Sequence, residues 1–238
     1  MPGLNTLLIG SNLLYKKYHM QKIVTNQPVL VMLYGFPGAG KTHFSSQLAG
    51  SLTAAHLQAD RIRHELFDTP KYDKEENDIV EHLALYMTEE FIKAGVNVIF
   101  DADVSRLTQR RALRDIARKA GAQPILIWLQ IDIDSAKQRI SNRDRRKTED
   151  KYAQPYDTAS FQAKIGSMQN PNNEDYIVIS GKHTINTQRS AVIKKMYEQG
   201  IISSDSATAN VVKPGLVNLV PNPQAGRVDM SRRNITIR

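Results

Sequence analysis

The sequence contains no cysteine. That excludes a disulfide framework, a Cys-based zinc site and a thiol nucleophile, and makes a reducing cytoplasm the expected location. Long apolar runs are also missing. Apolar runs such as Val96–Phe100 (broken by Asn97) and Ile125–Leu129 are strand-length and far short of the roughly 18 residues a membrane helix needs, so a soluble protein without a membrane partner is expected. Near the amino terminus Lys16, Lys17 and Lys22 follow the apolar Leu7–Leu14 stretch, the reverse of a signal peptide's order. Aromatic residues make up only 7% of the chain, with one Trp. The six histidines show no paired metal-ligand spacing and no evident Ser or Asp partner by position, so they read as bystanders.

The 238 residues carry 32 Lys+Arg against 24 Asp+Glu, a net charge of +8, with 41% hydrophobic residues and a mean hydropathy of −0.42. One domain with tails fits this length: an extension over 1–27, a domain over 28–200 and a tail over 201–238. Apolar runs at Val29–Tyr34, Ala54–Gln58, Val96–Phe100, Ile125–Ile131 and Tyr176–Ile179 alternate with helical patterns, the signature of an α/β fold with a five-stranded parallel sheet. Between the second and third strands, Ile79, Leu83, Tyr86 or Met87, Phe91 and Ala94 recur at helical steps and predict the buried face of a long helix. A further helix over about 106–120 buries Leu113, Ile116, Ala117 and Ala120 and closes at Gly121. From 142 to about 173 the hydrophobic pattern fails, which predicts a mobile lid-like excursion from the sheet. A last helix spans about 186–199. The remainder, 203–238, has three prolines, four asparagines and little periodicity, and reads as disordered.

The first strand ends in Gly35-Phe36-Pro37-Gly38-Ala39-Gly40-Lys41-Thr42, a complete G-x-x-x-x-G-K-[ST] match between a strand and a helix, the setting that marks a P-loop. Its glycines let backbone N–H groups turn around a polyphosphate, and the helix that follows presents its positive dipole end. The ATP-binding set is therefore Gly35, Phe36, Pro37, Gly38, Ala39, Gly40, Lys41, Thr42 and His43. Lys41 bridges the β- and γ-phosphates and Thr42 ligates Mg²⁺.

After the second strand comes Asp60-Arg61-Ile62-Arg63, at the carboxyl end of the sheet where ligands of such folds bind. There Asp60 can take the proton of an attacking hydroxyl, and Arg63, one turn later, can hold the acceptor. The plain alternative is a helix-capping Asp with a surface Arg. Asp101 ends the third strand as a Walker-B acid does and is the second metal-site residue. Asp101-Ala102-Asp103-Val104 also fits the D-x-D-x-[TV] form of a phosphatase nucleophile, but third place in a P-loop sheet favours the metal role.

Between Val104 and Lys151 lie 13 Lys+Arg and 6 Asp+Glu, so nearly all the excess charge falls on one stretch. Arg139 and Arg143, with Arg145, Arg146 and Lys147, stand where a lid can bring guanidinium groups to transferring phosphate. Arg106, Arg110, Arg114 and Arg118 fall four apart, on one helical face, which can either follow a nucleic-acid backbone or be a solvated face beside an ATP lid.

Together these residues resemble the small P-loop kinases of the AAA ATPase-like group that contains polynucleotide kinase 5′-kinase domains. The resemblance covers about Val29–Met196. It rests on Gly35–Thr42, Asp60-x-x-Arg63, Asp101 followed by Arg110-Arg111, and Arg139 with Arg143. It implies Asp60 as general base toward the acceptor hydroxyl, Arg63 beside the acceptor, Arg143 on phosphate, and Arg139 in the ATP site. Zeta-toxin-like and adenylyl-sulfate-type kinases share the P-loop and the Asp-x-x-Arg spacing, and Ile62-Arg63-His64 followed by Leu66 looks locally like the latter. Ala102-Asp103-Val104 stands where polynucleotide kinases usually carry a Thr-Asn pair. The acceptor is thus a polynucleotide 5′-hydroxyl or a small metabolite. From another class, a non-catalytic ATP-dependent switch would present residues 203–238 to a partner.

Overall fold

A computed structural model describes residues 22–144 and 150–204. Five strands, β1 (Val29–Tyr34), β2 (Ala54–Gln58), β3 (Asn97–Asp101), β4 (Gln123–Gln130) and β5 (Ile177–Ser180), form one sheet in the order β2-β3-β1-β4-β5. Every pairing is parallel. The connecting helices are α1 (Lys41–Leu52), α2 (Ala59–Leu66), α3 (Lys74–Lys93), α4 (Leu107–Lys119), α5 (Ile133–Ser141), α6 (Thr158–Ser167) and α7 (Ile185–Glu198).

Central β1 is buried along its whole length, as a parallel strand covered on both faces must be. Its alternate residues separate two cores. Val29, Val31 and Leu33 join Phe44, Leu48 and Leu52 of α1 and Val192, Ile193 and Met196 of α7. Leu30, Met32 and Tyr34 join Ala84 and Ile92 of α3 and Leu113 and Ala117 of α4. One polar side chain stitches the start of the sheet: Asn97 accepts from the Val29 N–H (3.0 Å) and donates to the Leu52 carbonyl (3.0 Å).

Three sequence expectations shift. The buried seam of α3 is Val80, Ala84, Thr88 and Ile92, whereas Ile79 and Tyr86 are exposed; small residues let the helix approach the sheet closely. In α4, Arg110 joins Leu113 and Ala117 among the buried residues, and Ile116 and Ala120 are only half-buried. The 142–173 excursion contains α6, capped by Asp157, whose carboxylate accepts from the Ser160 N–H (2.7 Å).

Packing also reaches past 28–200. Ile23, Ile201 and Ile202 lie in the core, and Thr25 bridges Ile202. The lid residues Arg145, Arg146 and Lys147, most of the 1–27 extension and the 205–238 part of the tail lie outside the described residues. Among the described residues no helix is long and apolar enough to cross a membrane.

Candidate active site

The carboxyl ends of β1, β2 and β3 open into one cavity of about 810 Å³. On its floor the Gly35–Thr42 loop turns as only glycine allows. A Cβ on Gly38, at φ +82°, would stand 2.4 Å from the Ala136 carbonyl oxygen, and one on Gly35 2.5 Å from that of Leu129. Gly40 then opens α1 with no side chain capping its first amides, which leaves those N–H groups to a bound anion. Lys41 donates from Nζ to the carbonyls of Gly35 (2.8 Å) and Phe36 (3.0 Å). Burial lowers its pKa to about 8, with Lys164 and Arg143 adding to the effect and Asp101 and Asp103 opposing it.

Asp60, the second residue of α2, faces the same cavity. Burial raises its pKa and neighbouring Asp101 adds to the shift, while the Gln154 N–H, 3.3 Å from Oδ2, with Arg63 and Arg143, works against it. The carbonyl of Gln154 in turn accepts from Arg143 Nη1 at 3.0 Å. One backbone unit of the excursion therefore links the candidate base to the candidate lid arginine. Tyr156 donates to Gln154 Oε1 (2.9 Å), and its own pKa is raised, chiefly by burial.

Asp101 is buried at the end of β3 and lies 3.1 Å from His56 Nε2 on β2. This corrects the reading of all six histidines as bystanders: β2 and β3 pair in parallel with Gln58 opposite Asp101, so His56 comes to the same face two residues back. Thr42 and Asp101 offer hard oxygen ligands, the kind that suit Mg²⁺ held largely by phosphate and water. Among the described residues there is no cluster of three or more His, Asp or Glu that could hold an ion unaided.

Arg63 lines the cavity but is only 5% exposed. Its Nη1 donates to Glu76 (3.0 Å), Nη2 to Asn77 (2.5 Å), and the guanidinium stacks on Tyr72. These bonds commit it to fixing the first turn of α3 as a cavity wall. Arg139 straps the loop from above, donating to the carbonyls of Ala39 (3.3 Å) and Gly181 (2.8 Å). His43 lines the same cavity.

Sequence reasoning missed His56, Gln154, Tyr156 and Lys164. Lys164 on α6 donates to Asp103 at 2.6 Å and to Ser105 Oγ at 3.3 Å. Burial works to raise the Asp103 pKa, but Lys164 and Ser105 outweigh it and hold the carboxyl below its ordinary value.

The arginine stripe on α4 is not a basic track. Arg110 is fully buried, with Nε and Nη2 on the Glu174 carboxylate and Nη1 on the Val104 carbonyl. Arg114 pairs with the same Glu174. Arg118 is exposed and stands 3.6 Å from Asp115. Neither of the two readings, a nucleic-acid track or a solvated face, describes the whole stripe, because its central members Arg110 and Arg114 are spent on an internal carboxylate while Arg106 and Arg118 are exposed. A smaller cavity, about 450 Å³, is lined by residues that include Phe36, Trp128 and Lys182, but neither Lys41 nor Asp60.

A five-stranded parallel sheet with a G-x-x-x-x-G-K-T loop after β1 and carboxylates following β2 and β3 is the fold of a P-loop nucleotide-binding domain. Residues 30–168, more than half of the chain, match the AAA domain family, and the chain belongs to it. Among solved structures it resembles a sugar kinase from Janibacter sp. HTCC2649 (14% identity, 78% of this chain and 99% of that one, TM-score 0.52). It also resembles a gluconokinase from Sinorhizobium meliloti 1021 (13% identity, 75% and 99%, TM-score 0.51). At these identities the likeness concerns the fold. No match was found among curated protein sequences.

Proposed function

We propose that the protein is an ATP·Mg²⁺-dependent kinase that phosphorylates a hydroxyl of a small molecule. The observation that carries this reading is the meeting of Lys41, Asp60 and Arg143 in one cavity, with Asp60 and Arg143 joined through Gln154. Thr42 and Asp101 would hold Mg²⁺, which would offset the charge of the phosphates of a bound nucleotide, the source of the transferable phosphoryl group. The chain's own residues do the rest by position and electrostatics.

Lys41 exchanges its loop carbonyls for phosphate oxygens. Asp60 orients the acceptor hydroxyl and takes its proton; its raised pKa brings it closer to that of a working base. Arg143 turns its guanidinium to the transferring group, and Arg139 holds the loop against the end of β5. His56 orients Asp101. A small acceptor is favoured over a polynucleotide because Arg110 and Arg114 are bound internally by Glu174.

Transfer from γ-labelled ATP to a pooled small-molecule extract and to 5′-hydroxyl DNA and RNA tests the reading. The expected result is a labelled small molecule, lost in both Lys41→Ala and Asp60→Asn. ATP binding with no labelled product from any pool would refute the kinase and favour a nucleotide-dependent switch.

A further inference from the structure

Asp103 follows β3 and Lys164 lies on α6, and both line the same cavity as Lys41 and Asp60. Their ion pair is short, 2.6 Å, yet open: the side chains are 47% and 27% exposed. Such a pair contributes little to stability. It is nonetheless held ready, since Asp103 Oδ1 accepts from the Ser105 N–H (3.0 Å) and Lys164 reaches Ser105 Oγ. The mechanism above uses neither residue.

We propose that the Asp103–Lys164 pair recognises the acceptor, and that it selects an uncharged polyhydroxy molecule with neighbouring hydroxyls over the same skeleton bearing a carboxylate or phosphate. This rests on the kinase reading and specifies its substrate class. A hydroxyl both donates and accepts, so two adjacent hydroxyls can enter the pair, one donating to Asp103 and the other accepting from Lys164, with no change in net charge. An anionic group can use Lys164 only, and it leaves Asp103 unpaired beside a like charge.

The test uses the full chain with labelled ATP and matched acceptors: hexoses, pentoses and their alditols against the corresponding sugar acids and sugar phosphates, beside a small-molecule extract. The expected wild-type result is a neutral acceptor preferred at least about tenfold in kcat/KM over its anionic counterpart, the size of one charged hydrogen bond. Asp103→Asn should shrink that ratio severalfold. Lys164→Met should raise the acceptor KM about tenfold, well beyond any change in the KM for ATP, and Lys164→Arg should recover part of the loss. A role only in docking α6 would instead move both KM values and the melting temperature together. Preference for an anionic acceptor, or a ratio unmoved by Asp103→Asn, overturns the proposal. So does labelling of none of the matched acceptors; a labelled product from the extract would then leave the kinase reading standing, and its absence would remove both.

Discussion

Nucleotide binding should draw a proton into this site, and the size of that uptake follows from Lys41. In the free protein its Nζ sits on two loop carbonyls with a pKa of about 8. Carbonyls supply partial charges only, whereas a polyphosphate supplies full ones, so binding should return Lys41 to the ordinary lysine range near 10.4. On those values Lys41 takes up roughly 0.1 proton per nucleotide at pH 7, about 0.5 at pH 8 and about 0.9 at pH 9. The same linkage weakens binding about tenfold between pH 7 and pH 9.

Titration calorimetry in pairs of buffers with different ionisation enthalpies reads the uptake directly, and above pH 8 the terminal phosphate of the nucleotide is already ionised. Uptake below about 0.2 proton at pH 9, or equal uptake in Lys41→Met, would refute the reasoning. The effect on folding has the opposite sense. Between about pH 8 and the unfolded value near 10.4 the unfolded chain holds the extra proton, so this residue's contribution to the stability of the free protein rises with pH across that window.

Asp60→Asn should cut transfer about 10²–10⁴-fold while calorimetry shows unchanged nucleotide affinity, because it removes a proton acceptor and not a phosphate ligand. In the wild type, burial raises the Asp60 pKa, so the acidic limb of the rate profile should fall at a pH above the ordinary carboxylate range as the base is protonated. Gly38→Ala should lower nucleotide affinity by more than about tenfold, since a Cβ there meets the Ala136 carbonyl at 2.4 Å; unchanged affinity would mean the loop is not the phosphate cradle. Glu174→Gln should destabilise the fold by about 3–5 kcal/mol in denaturant titration, because fully buried Arg110 loses its counter-charge.

The phosphate loop was legible because its chemistry is contiguous: eight residues in a row set both backbone path and ligand groups. Asp60 and Asp101 were legible because each closes an apolar run, and a strand end in a parallel sheet is where chemistry gathers. Gln154 was not. It contributes an amide and a carbonyl, which every residue but proline possesses, so no identity marks it. His56 and Asp101 stand 45 positions apart and meet only because β2 and β3 are neighbours, a pairing no local pattern states. Helix α6 escaped detection because it buries little beyond Phe161; a capping carboxylate and the Lys164–Asp103 pair replace the apolar stripe that periodicity would reveal. The face of α3 was legible only in part: Met87 and Phe91 pack against the core as the periodicity predicts, but Ala84 and Thr88 take the closest contact in place of Ile79 and Tyr86.

The basic stretch of Val104–Lys151 carries the sharper lesson, because its charge is real and its use is internal. Composition counts guanidinium groups without their partners, and the partner of Arg110 and Arg114 is Glu174, at least 60 positions onward. At that exit from the excursion Tyr34, the last residue of β1, donates to Asn170 Oδ1 (2.9 Å) while Arg110 lies over its ring. Tyr34 immediately precedes Gly35. The same arginine thus anchors the end of the 142–173 excursion to the strand that carries the G-x-x-x-x-G-K-T loop, and a charged pair buried this deeply holds only while both members are present. What reads in one dimension as a run of exposed basic residues is in three dimensions partly an internal joint between that strand and the excursion.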